Sequence, residues 1–202
     1  MENFYLIAGL GNPGEEYAGT RHNIGFMLAE RLAQKWGASW KVEKKFQARV
    51  ARTEQDGRKI ILCQPQTFMN DSGEAIGALL RFYQLPKERL LVAVDDADLP
   101  LGQIRMKATG SSGGHHGLES IERQLSGRDY PRQRLGIGRR ESDGRQITNY
   151  VLGRFTAAER ELVNKVLARA EEQADCWLRA GIAEAMNRFN GTADVPPIKG
   201  NQ

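Results

Sequence analysis

The chain has 202 residues, 40% hydrophobic and 27% charged, with 22 glycines and 7 prolines; this is the balance of a globular α/β protein and excludes fibrous and disordered classes. Its length suits one sizeable domain and leaves little room for two. A formal net charge of +4 favours a polyanionic partner, and the two cysteines, Cys63 and Cys176, form neither a C-x-x-C pair nor a zinc spacing, so they read as thiols in a reducing compartment.

The N-terminus has neither a basic n-region nor a cleavage site, and no apolar run is long enough to span a bilayer. A cytoplasmic protein is therefore expected. The first predicted strand is "FYLIAGL". "NIGFMLAERLAQKWG" then places Ile24, Met27, Leu28 and Leu32 on one helical face and stops at Gly37. "QARVAR" and "KIILCQ" flank an Asp56-Gly57 pair and predict a hairpin.

"NDSGEAIGALLRFYQLP" predicts a helix with Ala75, Ile76, Leu79, Leu80 and Tyr83 inward, ended by Pro86. "LLVAVD" is a near-continuous apolar run, which predicts a strand buried on both faces with Asp95 at its end. "QIRMKA" predicts another strand, "HGLESIERQL" a short helix and "QRLGIG" a central strand. A capping box, Thr156 with Glu159, opens a long helix running to about Gly181, followed by a helical piece, "AEAMNRFN". The alternation predicts a mixed, mostly parallel central sheet flanked by helices on both faces in a single domain over residues 1–190, with 191–202 a flexible tail.

Lys and Arg concentrate between Lys35 and Lys59, and again at Arg123, Arg128, Arg132, Arg134, Arg139, Arg140 and Arg145. Each patch reads as either a solvated surface or a polyanion contact.

Two short motifs invite readings that the surrounding residues oppose. Gly9, Gly11 and Gly14 have G-x-G-x-x-G spacing after a strand, as in a dinucleotide-binding turn. Pro13 interrupts the expected helix start, Glu15 and Glu16 would stand beside a pyrophosphate, and the only acid at the expected distance, Glu30, lies inside the first helix. Gly110, Ser112 and Gly114 match G-x-S-x-G, but no histidine follows His116 to complete the hydrolase order. A metal held by the Asp95, Asp96, Asp98 cluster and the adjacent histidines is a further alternative, opposed because neighbouring histidines usually diverge.

The remaining constellation is His22 and Asp95 on separate loops after strands, together with the amides of Asn12, Asn23 and Asn70. In an open α/β sheet such loops converge on one crevice. A histidine held by a carboxylate can take a proton from water, and amides can orient a carbonyl without ionising. With no evident covalent nucleophile, this suggests direct hydrolysis of an activated acyl bond beside a basic surface.

The segments "GLGNPGEEYAGTRHNIGF", "QPQTFMNDSGEAI", "LLVAVDDADLPLGQIRMKATGSSGGHHGL", "RLGIG" and "YVLGRF" resemble, in order, those of bacterial-type peptidyl-tRNA hydrolases, over residues 4–190. The resemblance implies that His22 is the general base, Asp95 holds its imidazole, and Asn12 distinguishes a blocked amine from a free one, with Asn23 in support. It implies that Asn70 binds near the ester, and that Tyr17, Phe68 and Met69 line the cleft for the tRNA 3′ end opposite His115. Lys107 and Arg134 would grip the 5′ phosphate side of the acceptor stem. A monomer acting on peptidyl-tRNA without a metal or organic cofactor is implied; a non-catalytic RNA-binding relative of the same fold is the rival reading. Two departures stand out: His116 occupies a position where the family has a substrate-contacting asparagine, and Val94 precedes Asp95 where a polar residue is common.

Overall fold

The computed structural model describes residues 3–139 and 147–194. Its strands are β1 (Phe4–Gly9), β2 (Trp40–Glu43), β3 (Ala48–Gln55), β4 (Arg58–Pro65), β5 (Leu90–Asp96), β6 (Gln103–Lys107), β7 (Arg132–Gly136) and β8 (Gly191–Thr192). They form one sheet in the order β2-β3-β4-β1-β5-β7-β6-β8. The central strands β4, β1, β5 and β7 are mutually parallel. Only β3 and β6 run against the rest, because β2 and β8, each antiparallel to its neighbour, recover the common direction.

The helices are α1 (Ile24–Lys35), α2 (Ser72–Tyr83), α3 (His116–Leu125), α4 (Ile147–Leu152), α5 (Arg160–Ala180) and α6 (Ile182–Phe189). Ile24, Leu28 and Leu32 of α1 share one core with Val166 of α5 and Phe189 of α6. Ile76 and Leu79 of α2 and Leu118 and Ile121 of α3 fill the core on the other face. β5 supplies both: Leu91 and Ala93 to the first, Leu90, Val92 and Val94 to the second. That two-sided burial is why its sequence shows no alternation.

Local chemistry sets the turns. Asp56 and Gly57 have φ of 50° and 71°, as a tight hairpin between right-twisted strands requires. The α2 helix stops at Tyr83 because Gln84 takes a left-handed conformation, φ 52°, and Pro86 lies beyond it. In the capping box, the Thr156 N–H donates to the Glu159 carboxylate at 2.7 Å and the Glu159 N–H to the Thr156 hydroxyl at 3.3 Å; α5 follows from Arg160. The opening glycines serve close packing: a Cβ on Gly9 would lie 2.1 Å from the Gly25 carbonyl oxygen, so α1 can approach β1 only because both residues are glycine.

Three features depart from the sequence-based expectation. The edge strand β2 and the short helix α4 are additional. The expected loose tail begins instead as β8, with Gly191 and Thr192 paired to Ile104 and Gln103 and the Ala193 N–H donating to the Gly102 carbonyl at 2.7 Å. The rest of that tail, residues 195–202, and Arg140 and Arg145 of the second basic cluster lie outside the described residues. No helix among the described residues is long and apolar enough to cross a membrane.

Because β1, β4, β5 and β7 are parallel, their carboxyl ends share one edge of the sheet. The loops leaving β1 and β4 carry Asn12 and Asn70, and Asp95 lies at the carboxyl end of β5 itself; a crevice outside such an edge is where α/β sheets bind ligands.

Candidate active site

Asp95 emerges from the buried run of β5 only 2% exposed. After β1 the chain folds back through a short 3-10 turn, Arg21–Asn23, which presents His22 to that carboxylate. His22 Nδ1 lies 2.9 Å from Asp95 Oδ1 and 3.0 Å from Oδ2. From the opposite side, His115 Nε2 lies 2.9 Å from Oδ1. The two imidazole centroids are 5.0 Å apart.

The tautomers follow from the remaining partners. His115 is the N-cap of α3, and its Nδ1 accepts from the N–H groups of Gly117 at 3.1 Å and Leu118 at 3.4 Å. An accepting Nδ1 carries no proton, so Nε2–H donates to Asp95. A carboxylate likewise calls for a donor from His22, which puts the proton on Nδ1 and leaves the Nε2 lone pair as the basic site. Burial alone would push the Asp95 carboxyl up, but the charges and hydrogen bonds of His115 and His22 outweigh it and hold the group well below the usual carboxylate range.

His22, Asp95 and His115 offer ligand atoms within 4.8 Å of one another, a proximity that a metal site would also show. A metal on His115 Nε2 would need the proton on Nδ1, where two backbone N–H groups already donate. The donor set fits two hydrogen bonds to one carboxylate and does not fit a metal.

Asn12 is fixed by its neighbours. Its backbone N–H donates to Asn23 Oδ1 and its carbonyl accepts from Asn23 Nδ2, both at 2.9 Å. Its side-chain Oδ1 accepts from the Met69 N–H at 2.8 Å. This orients the amide so that Nδ2 is the donor available to a ligand. Asn23 thus acts through the backbone of Asn12, and the loops after β1 and β4 are tied together at the crevice floor.

The crevice is a cleft of about 430 Å³ lined by Asn12, His22, Phe68, Met69, Asn70, Asp95, His115, His116 and Arg134. Phe68 is 60% exposed, an apolar platform at the mouth. His116 is exposed, its Nδ1 3.2 Å from Glu119 Oε2. Ile147, Thr148, Val151 and Leu152 of α4 form a wall that sequence reasoning missed; the "YVLGRF" segment was its one signal. Arg139, paired with Asp98 at 2.7 Å, also lines the cleft.

Arg134 reaches the cleft with its guanidinium already engaged: Nη1 donates to Asp96 at 3.2 Å, and Nη2 to the carbonyls of Ser111 at 2.7 Å and Ser112 at 3.1 Å. Tyr17 and Lys107 are not among the lining residues. Tyr17 sits half-buried in a 3-10 turn, Glu15–Tyr17. Lys107 is exposed on β6, paired in register with Arg132 at the start of β7, the end away from the crevice. Ser112 of the G-x-S-x-G pattern is outside the cleft lining, and its hydroxyl accepts the Gly114 N–H at 3.3 Å.

Comparison with known proteins places the chain and its fold in one family. A family model described as peptidyl-tRNA hydrolase matches residues 6–197. The chain is 47% identical over 197 residues to a peptidyl-tRNA hydrolase of Synechococcus elongatus, covering 95% of each chain. It is 46% identical over 187 residues to one of a Thermoanaerobacter species, covering 93% of this chain and 100% of the other. A crystal structure of peptidyl-tRNA hydrolase from Acinetobacter baumannii superposes with a TM-score of 0.88 at 38% identity, over 95% of this chain and 97% of that one.

Proposed function

The chain belongs to the peptidyl-tRNA hydrolase family, and we propose that its cleft hydrolyses the ester joining a peptide, or an N-blocked aminoacyl group, to the 3′ end of tRNA, so that tRNA from prematurely released peptidyl-tRNA is recycled. The observation that carries the reading is the pairing of His22 Nδ1 with the buried Asp95 at 2.9 and 3.0 Å, at a cleft shared with Asn12 and Asn70.

In this reading His22 Nε2 takes a proton from water as the water oxygen bonds to the ester carbonyl carbon. The collapsing tetrahedral intermediate breaks the carbon–oxygen bond to the ribose, and the Nε2 proton passes to the departing ribose oxygen. Asp95 keeps the Nδ1 proton in place and offsets the imidazolium charge without itself being protonated. Asn12 Nδ2 and Asn70 donate to substrate carbonyl oxygens, Asn12 at the blocked amine. Phe68 and Met69 receive the terminal nucleoside, and His115 and His116 bound the opposite wall. Tyr17 supports the loop bearing His22. Lys107 supplies a phosphate contact away from the cleft, with Arg134 between it and the scissile bond.

An ester to a ribose hydroxyl needs no covalent nucleophile, and phosphate and backbone contacts serve a substrate of any sequence. The protein acts as a cytoplasmic monomer in this account. The test is selectivity: purified protein should cleave N-acetylaminoacyl-tRNA and spare the unblocked aminoacyl-tRNA. Equal cleavage of both, or steep salt-dependent tRNA binding without cleavage, would overturn it.

A further inference from the structure

We infer that Arg21, the residue before His22, is a positioning residue for the base, and that it ties the base to the α4 wall of the cleft; the inference rests on the assignment of His22 proposed above. Arg21 is 8% exposed, unusual for an arginine unless it is paired. Its Nη1 donates to the Arg154 carbonyl at 2.7 Å, and its Nη2 to both carboxylate oxygens of Glu159 at 3.1 and 2.9 Å. The guanidinium stacks 4.6 Å from the Tyr150 ring centroid and 5.3 Å from that of Phe155. Every one of these partners lies in the segment 150–159, more than a hundred residues along the chain.

The backbone repeats the tie. The Arg21 N–H donates to the Gly153 carbonyl at 2.9 Å, and Thr20 forms an isolated bridge with Arg154. A Cβ on Gly153 would come within 3.1 Å of Arg21 Nη1, so the glycine leaves room for the guanidinium. Tyr150 in turn donates its hydroxyl to the Ile137 carbonyl just past β7, at 2.8 Å.

Glu159 is shared between two tasks, since it also accepts from the Thr156 N–H in the α5 capping box. Arg21 Nε is buried without a partner among the described residues, a cost that a side chain serving only solubility would avoid by turning outward.

The consequence is geometric. A 3-10 turn of three residues has few hydrogen bonds of its own to fix its orientation, and His22 must keep Nδ1 on Asp95 while Nε2 faces the cleft. The side chain next to it supplies that constraint by anchoring the turn to the segment that continues from α4. A displacement of about 1 Å at a reacting group can cost about 10²-fold in rate, so loosening this anchor is expected to lower kcat more than to weaken binding.

Two variants test it, Arg21→Met and Glu159→Gln; the second retains an oxygen to accept the Thr156 N–H and so keeps the capping box. For both, kcat on N-acetylaminoacyl-tRNA should fall about 10- to 100-fold with KM changed less than about 3-fold. The NMR signal of the hydrogen-bonded His22 Nδ1 proton should shift or broaden, while that of His115 Nε2 stays. Wild-type kcat and an unmoved His22 signal in folded Glu159→Gln would overturn the inference, even if Arg21→Met fails to fold. The NMR readout needs no turnover, so inactivity of the wild type would refute the proposed function and leave this inference to be decided by the spectra.

Discussion

His115 Nε2 stands 2.9 Å from Asp95 Oδ1 while Nδ1 of the same ring accepts the first N–H groups of α3. The two histidines of the cleft therefore have unequal roles: His22 keeps a free lone pair and His115 has none to spare. His115→Ala should cost about 0.5–2 kcal/mol through loss of the helix cap. Its kcat should fall by much less than the 10²–10⁴ expected for removing a general base. Equilibrium unfolding and steady-state cleavage measure the two effects separately.

Asp95→Asn offers His22 an amide that can donate, which stabilises the wrong tautomer. In a comparable His–Asp pair the same change costs about 10⁴ in kcat with geometry intact, and a loss of that order is expected here. Stability carries a second signature. The folded Asp95 carboxyl titrates below its ordinary value of 3.8, so its contribution is present above that value and lost as pH falls through the depressed one. The stability advantage of wild type over Asp95→Asn in urea should thus shrink as pH falls below about pH 4.

Arg134 and Lys107 should separate in salt titrations of tRNA binding. Lys107 is exposed on β6, whereas the Arg134 guanidinium is engaged by Asp96, Ser111 and Ser112. Replacing a phosphate-gripping cation lowers the salt slope by about one. Lys107→Ala should do so; Arg134→Ala should weaken binding by freeing the loop before His115 with the slope unchanged. A slope lower by one in Arg134→Ala would make that side chain a phosphate contact in its own right.

Gly25→Ala tests the packing that delivers the His22 loop. In an exposed helix the change would gain about 1 kcal/mol, but here the new Cβ would meet the Ala93 oxygen and the Leu10 nitrogen at 2.5 Å. Backbone cannot yield as a side chain can, so destabilisation of about 1–3 kcal/mol is expected. Gly77→Ala on α2 is the contrast: its Cβ would meet the flexible side chain of the exposed Gln124, and denaturation should show a change near zero.

The strongly patterned parts of the fold were legible in the sequence. The α3 helix spans His116–Leu125, the stretch expected to be helical, and the apolar run of β5 leads into Asp95 as expected, with the strand running one residue further to Asp96. What was hidden depends on partners distant in sequence. The β2 strand has four residues, two of them charged on the exposed edge, and exists because β3 pairs with it. The six residues of α4 are too few to hold a helix alone. In the site, His22 and Asp95 were recognisable because their chemistry is distinctive. Arg21 was not, since an arginine in a polar loop reads as surface until Glu159, Tyr150 and Phe155 are seen around it. Nor could spacing show that His115 would cap its own helix with one nitrogen and hold Asp95 with the other.

The most direct test of the account is single-turnover cleavage of N-acetylaminoacyl-tRNA by wild type and His22→Ala, with tRNA affinity measured on both. Wild type should release the acyl group, and the variant should bind tRNA equally well with cleavage lower by about 10²–10⁴. Cleavage by His22→Ala at the wild-type rate would show that the base lies elsewhere and contradict the account.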